Sequence, residues 1–211
     1  MRKKEWTQNT EQLASAGLKK WLIDNTEPRG GLAITDAILM LSRDGEMWHR
    51  YNEAIFTPGY EHERNWIYGD CYPAYGFVDS GREVYYMYTK DWHRSEGEPK
   101  PLNRYEIRKD GFACYMAGGE ECVLVTKPLI FDGKDLHLNF STSAYGYIYA
   151  DVLDENGNEL SKKSSFEIYG NTIDRKITFA DGSDFSKYSG IPVRLRFRMR
   201  DAKIFSLKFE Q

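Results

Sequence analysis

The chain has 211 residues, of which 41% are hydrophobic and 29% are charged, and its net charge is −3. This balance is typical of a globular protein and gives no electrostatic reason to expect nucleic acid or an anionic membrane as a partner. No apolar run is long enough to span a bilayer, and the basic N-terminus lacks the apolar stretch of a secretory signal, so the sequence predicts a cytoplasmic protein.

The first 29 residues are predicted to form a separate helical segment. Apolar residues recur at helical spacing from Ala14 to Leu22, which predicts an amphipathic helix over residues 10–24. The sequence Pro28-Arg29-Gly30-Gly31 then ends the helix, because proline and glycine do not continue it.

Residues 30–119 are predicted to form an antiparallel, propeller-like strand array. Residues 32–41 are almost continuously apolar, which indicates a buried strand with Asp36 inside it. Lys109-Asp110-Gly111 predicts a hairpin turn, and Gly118-Gly119 predicts a second one that also marks the domain boundary.

Residues 120–211 are predicted to form a β-sandwich, because short strands alternate there with turn sequences. Near the end, apolar residues alternate with arginines, which predicts a strand with one buried and one basic face. We expect acids on neighbouring strands, such as Glu167, Asp174 or Glu210, to balance this basic face. Binding of an anion is the alternative. The alternating residues are Val193, Leu195, Phe197 and Met199, and Arg194, Arg196, Arg198 and Arg200.

The cysteines and histidines predict neither a metal site nor a cofactor. The three cysteines are an odd number with no CxxC pair, so neither a disulfide framework nor a zinc site is indicated. The four histidines show no metal-ligand spacing either.

Residues 47–79 are unusually aromatic: they hold nine Phe, Tyr and Trp rings, with four acids between those rings. Rings stack on the C–H faces of sugars, and carboxylates accept hydrogen bonds from hydroxyls or move protons, so the segment predicts a carbohydrate site. A packed β-core is the alternative, because large rings also fill cores. Two carboxylates at a suitable separation would support glycoside hydrolysis. The predicted catalytic acids are Asp36, Glu53 and Asp70, and the predicted ligand-binding residues are Arg43, Trp48, Trp66, Tyr68 and Tyr72.

The sequence Ser42-Arg43-Asp44-Gly45-Glu46-Met47-Trp48 predicts a tight turn. The Asp44 carboxylate can accept backbone N–H bonds within the turn, and Gly45 can adopt a positive φ. Asp44 is therefore predicted to hold a turn and not to act in catalysis.

This turn resembles the Asp-box hairpins of sialidase-type propellers, although it is one residue short of their usual spacing. An ordered series of further segments resembles the C-terminal part, the last blades plus a β-sandwich, of bacterial glycoside-hydrolase-like five-bladed β-propeller proteins. Members of that family are much longer, and this chain has room for about two blades. The similar segments are residues 35–45, 66–70, 105–112, 126–129, 182–184, 190–197 and 201–202.

The resemblance implies a glycoside-hydrolase-like protein that acts on a glycan. Two other functions stay open. The chain could be a carbohydrate-binding β-sandwich module without catalysis, or a structural remnant that forms homo-oligomers through unpaired strand edges.

Overall fold

The structure, a computed structural model, is all-β, as the sequence predicts. It divides into two compact units between Ile107 and Arg108. Within the described part of the chain, no helix is long and apolar enough to cross a membrane. The predicted helix over residues 10–24 lies outside this part. The described residues are 35–57, 59, 71–90 and 102–211.

The first unit contains a hairpin of β1 (Ala37–Ser42) and β2 (Trp48–Phe56), whose pairing shifts register on both sides of Ile38. Asp36 precedes this strand and is exposed, so the prediction that it lies inside a buried strand is wrong. A buried carboxylate would need a partner or a channel to offset the loss of water, and Asp36 needs neither because it stays in solvent.

A second sheet of the first unit is centred on β5 (Val84–Lys90), which pairs with β3 (Tyr72–Pro73), β4 (Val78–Asp79) and β6 (Leu102–Arg108). A small core of buried Phe56, Cys71 and Met87 lies beside partly buried residues of β1, β2 and β6. Within this core, the rings of Phe56 and Tyr105 are in contact, with their centroids 4.5 Å apart.

The second unit is built on one curled antiparallel sheet of five strands. Its two long strands, β9 (Asp135–Leu153) and β11 (Arg194–Glu210), pair along most of their length. β10 (Asn171–Lys176) flanks β9, whereas β7 (Tyr115–Ala117) and β8 (Cys122–Val125) follow one another along the far edge of β11.

The core of the second unit lies on the inner face of this sheet. The predicted alternation on β11 is confirmed, since Val193, just before this strand, and Leu195, Phe197 and Met199 within it are buried. Alternate residues of β9 face the same core, and side chains from the connecting segments cover it as a second layer. The fully buried residues of β9 are Leu136, Leu138, Phe140, Ile148, Ala150 and Val152, and those of the connections include Phe179 and Phe185.

A bulge bends the two long strands near their middle. The pairing of β11 with β9 shifts between Arg200 and Ala202, and Asp201 takes a φ of 42° there. Gly146 lies opposite, so close that a Cβ atom would be 2.2 Å from the Asp201 carbonyl oxygen. Glycine at this position lets the strand continue through a close backbone approach. The sequence predicts two strands, 136–141 and 146–151, where the structure has one.

Two predicted hairpins are wrong, although one of their turns is right. The Gly111 N–H donates to the Arg108 carbonyl oxygen at 3.0 Å across the predicted turn, but the chain then runs to β11 and does not return to β6. Likewise, Gly118-Gly119 does not fold β7 onto β8, because both strands pair with β11. As a result, β7 belongs with the second unit, whereas the sequence places the boundary after Gly119.

Candidate functional site

The turn after β1 forms as the sequence predicts. Asp44 Oδ1 accepts the backbone N–H groups of Glu46 at 2.9 Å and Met47 at 2.8 Å, and Gly45 has a φ of 80°. These bonds, that of Met47 first, lower the pKa of the exposed Asp44 carboxyl. The Trp48 Nε1–H donates to the Gly45 carbonyl oxygen at 3.2 Å and closes the hairpin. The structural role predicted for Asp44 is confirmed.

An open groove of about 730 Å³ lies along this hairpin and brings together two predicted ligand-binding residues, Arg43 and Trp48. Tyr51 and His49 also line the groove, and their rings meet edge to face with centroids 4.8 Å apart. The Trp48 side chain is 55% exposed, so its ring is accessible.

The predicted catalytic acids do not form a described site. Asp36 and Glu53 are both exposed, one just before β1 and the other within β2. Tyr72 is exposed on β3. Three other predicted site residues, Trp66, Tyr68 and Asp70, lie outside the described residues. The assignment of catalytic roles stays a prediction.

The outer face of the second unit carries a ladder of rings and cations, here called the Tyr–Arg face. In the strand pairing, Tyr149 lies opposite Arg198 and Tyr147 lies opposite Arg200. The guanidinium carbons lie over the rings, 5.3 Å from the Tyr149 centroid for Arg198 and 5.0 Å from the Tyr147 centroid for Arg200. The Tyr–Arg face consists of Tyr145, Tyr147 and Tyr149 on β9 and of Arg196, Arg198 and Arg200 on β11.

One buried carboxylate anchors this face. Asp151, which is 3% exposed, accepts a hydrogen bond from Arg196 Nε at 2.9 Å, and its Oδ2 atom lies 3.5 Å from Arg198 Nε. Ser164 donates to the other carboxylate oxygen at 2.5 Å, and Glu159 pairs with Arg196 at 2.6 Å. Such a hydrogen-bonded pair offsets the cost of removing the carboxylate from water.

The acids expected to balance the arginines are therefore the wrong ones. Glu167 accepts a hydrogen bond from the Tyr149 hydroxyl at 2.8 Å, and Asp174 and Glu210 pair with other residues. The register explains this, because Asp151 lies directly opposite Arg196.

Carboxylates also fix the tyrosine hydroxyl groups. The Tyr147 hydroxyl donates to Glu121 at 2.8 Å, as the Tyr149 hydroxyl does to Glu167. Each bond raises the pKa of its tyrosine, since the carboxylate stabilises the protonated phenol. The two rings lie 5.5 Å apart between centroids, and Tyr145, which is 74% exposed, extends the row into solvent. The result is a row of oriented rings beside hydrogen-bonding groups.

A second polar cluster lies on the same sheet, and its four side chains form a closed ring in which basic and acidic groups alternate. His137 Nδ1 lies 2.5 Å from Asp174, and His137 Nε2 lies 3.5 Å from Glu210. Lys208 Nζ bridges the same two carboxylates at 2.8 and 2.5 Å. Asp174 and Glu210 raise the pKa of Lys208 to about 12, and Lys208, followed by His137, lowers the pKa of Asp174.

His137, Asp174 and Glu210 also place ligand-type atoms within 4.8 Å of one another. The two ring nitrogens face different carboxylates, however, and Lys208 already contacts both of them. A metal ion would need one unprotonated ring nitrogen and displacement of the Lys208 ammonium. The arrangement thus has the geometry of a salt-bridge network.

Sequence reasoning found the arginines of the Tyr–Arg face but missed its tyrosines. The alternation Tyr145, Tyr147, Tyr149 and Asp151 is visible in the sequence, and it matches the two-residue period of a strand. This signal could have identified the face before the structure did.

Comparison of the chain with models of protein families, with curated proteins and with solved structures gives no match. The resemblance to glycoside-hydrolase-like propellers therefore stays a prediction.

Proposed function

We propose that this protein binds glycans through the Tyr–Arg face of its second unit, without cleaving them. The observation that carries the proposal is the row of Tyr145, Tyr147 and Tyr149: arginines lie over all three rings, and the hydroxyls of Tyr147 and Tyr149 donate to glutamates. Sugars need flat apolar surfaces for their C–H faces and fixed donors and acceptors for their hydroxyls, and this face offers both.

The rigidity of the row supports this proposal. Cation–π contacts of this kind contribute about 0.5–1 kcal/mol each at exposed sites. They also restrict the rings before a ligand arrives, and prior restriction reduces the entropy lost on binding. Side chains on a sheet are also held more precisely than side chains on loops.

Binding is favoured over hydrolysis because the observed carboxylates have other partners. A glycosidase needs one carboxyl as a proton donor and a second as a base or nucleophile. On this face, Asp151 is bound by two arginines, and Glu121 and Glu167 each accept a tyrosine hydroxyl. None of these three is left to act on a glycosidic bond.

The proposal is tested by affinity electrophoresis of the full chain in gels that contain a panel of soluble plant, fungal and bacterial polysaccharides. We expect at least one polysaccharide to retard the wild-type protein. We expect Tyr145→Ala combined with Tyr147→Ala to restore its free mobility.

Tyr115→Ala is the matched control, because Tyr115 is an exposed tyrosine of the same unit that pairs with buried Ile204 and so lies on the other side of the sheet. This variant should be retarded like the wild type. Release of reducing sugar from the same panel is measured in parallel. Turnover, or retardation that survives the double substitution, would overturn the proposal.

A further inference from the structure

We infer that Arg200 is an anion-binding group and that the glycan bound by the Tyr–Arg face carries a uronic acid carboxylate next to the tyrosine row. The inference rests on the proposed function and names the class of sugar that the face recognises. It follows from the position of Arg200, from its charge balance and from the geometry of its guanidinium group.

Arg200 differs in position from the other arginines of the face. Its guanidinium carbon lies 4.0 Å from the centroid of the Tyr145 ring and 5.0 Å from that of Tyr147. Arg198, by comparison, lies over the ring of Tyr149 at 5.3 Å. Arg200 therefore sits at the solvent-exposed end of the row, where Tyr145 is 74% exposed.

The charge of Arg200 is not balanced by a carboxylate in the described part of the chain. Arg196 pairs with Asp151 and Glu159, and Arg198 lies 3.5 Å from Asp151. Arg200, by contrast, donates a long hydrogen bond of 3.4 Å to the Tyr145 carbonyl oxygen. The buried Nε atoms of Arg198 and Arg200 both lack a hydrogen-bond partner among the described residues, so the two arginines differ in the ion pair with Asp151, which Arg198 forms.

Glu121 contacts the tyrosine row but does not balance the charge of Arg200. The Glu121 carboxylate, the acid that contacts Tyr147, accepts the hydroxyl of that tyrosine at 2.8 Å. Since the ring of Tyr147 is also in contact with Arg200, a ligand at the guanidinium would lie beside a carboxylate that is already hydrogen-bonded.

A uronic acid matches these features better than a neutral sugar. A planar guanidinium binds a carboxylate through two parallel N–H bonds, which a hydroxyl cannot accept in the same way. The rings of Tyr145 and Tyr147 would contact the apolar face of the sugar that carries this carboxylate. A sulfated sugar also carries an anion. Its sulfate is joined to the sugar through an additional ester oxygen, so a sugar whose sulfate pairs with Arg200 would lie farther from the rings of Tyr145 and Tyr147.

Isothermal titration calorimetry of the full chain tests the inference with three matched ligands. These are an oligogalacturonate, the same oligomer with methyl-esterified carboxyls, and a sulfated neutral oligosaccharide of equal length. We expect the acid to bind about tenfold more tightly than the ester, because a hydrogen-bonded carboxylate–guanidinium pair is lost on esterification. This preference should weaken as salt is added.

Arg200→Gln should abolish the preference for the acid. Because Arg200 also lies over the rings of Tyr145 and Tyr147, the variant should bind both ligands more weakly, so the readout is the ratio of its affinities for acid and ester, which should fall from about tenfold to about one. Arg194→Gln is the control, because Arg194 lies on the same strand but donates to the carbonyl oxygens of Glu155 and Thr126. That variant should keep the preference. Circular dichroism checks that both variants are folded.

The outcomes separate the two proposals. Equal binding of acid and ester by the wild type would overturn the uronate inference and leave glycan binding standing, and this comparison needs no variant. A preference that persists in Arg200→Gln, or tighter binding of the sulfated oligomer, would also overturn it. Retardation by no polysaccharide of the panel would remove the proposed function itself.

Discussion

The Asp44 hairpin and the Tyr–Arg face both combine aromatic rings with a carboxylate, but they are stabilised over very different distances along the chain. The two backbone N–H groups bound by Asp44 Oδ1 belong to residues two and three positions away. The partners of Asp151 are 13 and 45 residues away, in Ser164 and Arg196. The hairpin is therefore defined locally, whereas the face exists only after the long strands have paired.

This difference determines what each region can do. The Asp44 carboxylate accepts backbone N–H groups within its own turn, and the Trp48 Nε1–H group closes the same turn. On the Tyr–Arg face, the anchoring carboxylate of Asp151 is buried, whereas Tyr145 is exposed and Tyr147 and Tyr149 are partly buried. Removal of each anchor should therefore have effects of different size and range.

The largest effect is expected from Asp151→Ala. The substitution leaves Arg196 and Arg198 without their buried partner, which typically costs about 3–5 kcal/mol, and we expect about 3 kcal/mol because both arginines stay partly in solvent. Hydrogen exchange of the β9 and β11 amides measures the loss.

Glu159→Ala is the control for this substitution, since Glu159 contacts the same Arg196 from a side chain that is 61% exposed. It should cost less than about 1 kcal/mol. Equal effects of the two substitutions would contradict the anchoring role of Asp151.

Gly146→Ala should have the next largest effect. The new Cβ would lie 2.2 Å from the Asp201 carbonyl oxygen, so backbone at the bulge has to move, at a cost of about 1–3 kcal/mol. Hydrogen exchange of the β9 and β11 amides also measures this loss of stability. Gly119→Ala, where a Cβ meets nothing within 4 Å, should change stability by less than about 0.5 kcal/mol. If Gly146→Ala left the stability unchanged, β9 and β11 could not approach each other as closely as the structure shows at Gly146 and Asp201.

Asp44→Ala should have a smaller effect that is confined to the first unit. All five tryptophans precede Arg108, so tryptophan fluorescence during urea unfolding reports on that unit alone. We expect a lower midpoint by fluorescence and unchanged exchange protection of β9 and β11. Glu46→Ala, an exposed neighbour in the same turn, should leave both unchanged. Loss of protection in the second unit would contradict a local role.

The smallest effect on stability is expected in the polar cluster of His137, Asp174, Lys208 and Glu210, and this effect depends on pH. Asp174 has a lowered pKa in the folded protein, so its contribution is present above its unfolded pKa and is lost as the pH falls through the lower folded value. Lys208, whose pKa is raised to about 12, contributes fully below its unfolded pKa of 10.5 and loses this contribution as the pH rises through about 12.

Lys208→Gln should therefore lower the melting temperature slightly at pH 7, and the difference from the wild type should shrink toward pH 2 as Asp174 takes up a proton. Lys203→Gln, an exposed lysine on the same strand, serves as the control and should show no such dependence. A difference that stays constant down to pH 2 would contradict the pairing with Asp174.

The sequence predicted the features whose cause lies within a few residues. The Asp44 turn follows from Ser42, Asp44 and Gly45, and the buried face of β11 follows from the alternation around Leu195 and Phe197. The pairing of β7 with β11 could not be predicted, because Ala117 of β7 lies opposite Ala202 of β11, which is 85 positions away in the sequence. The partner of Arg196 was missed for the same reason, since only the register of β9 and β11 places Asp151 opposite it.

The central claim, that the Tyr–Arg face is the binding surface, is tested most directly by nuclear magnetic resonance of the isotope-labelled full chain, titrated in turn with oligosaccharides from every polysaccharide of the panel. The account predicts that the perturbed backbone amides cluster at residues 145–149 of β9 and 198–200 of β11. Perturbations concentrated in the groove at residues 41–51 would contradict it, as would a titration that perturbs no amide.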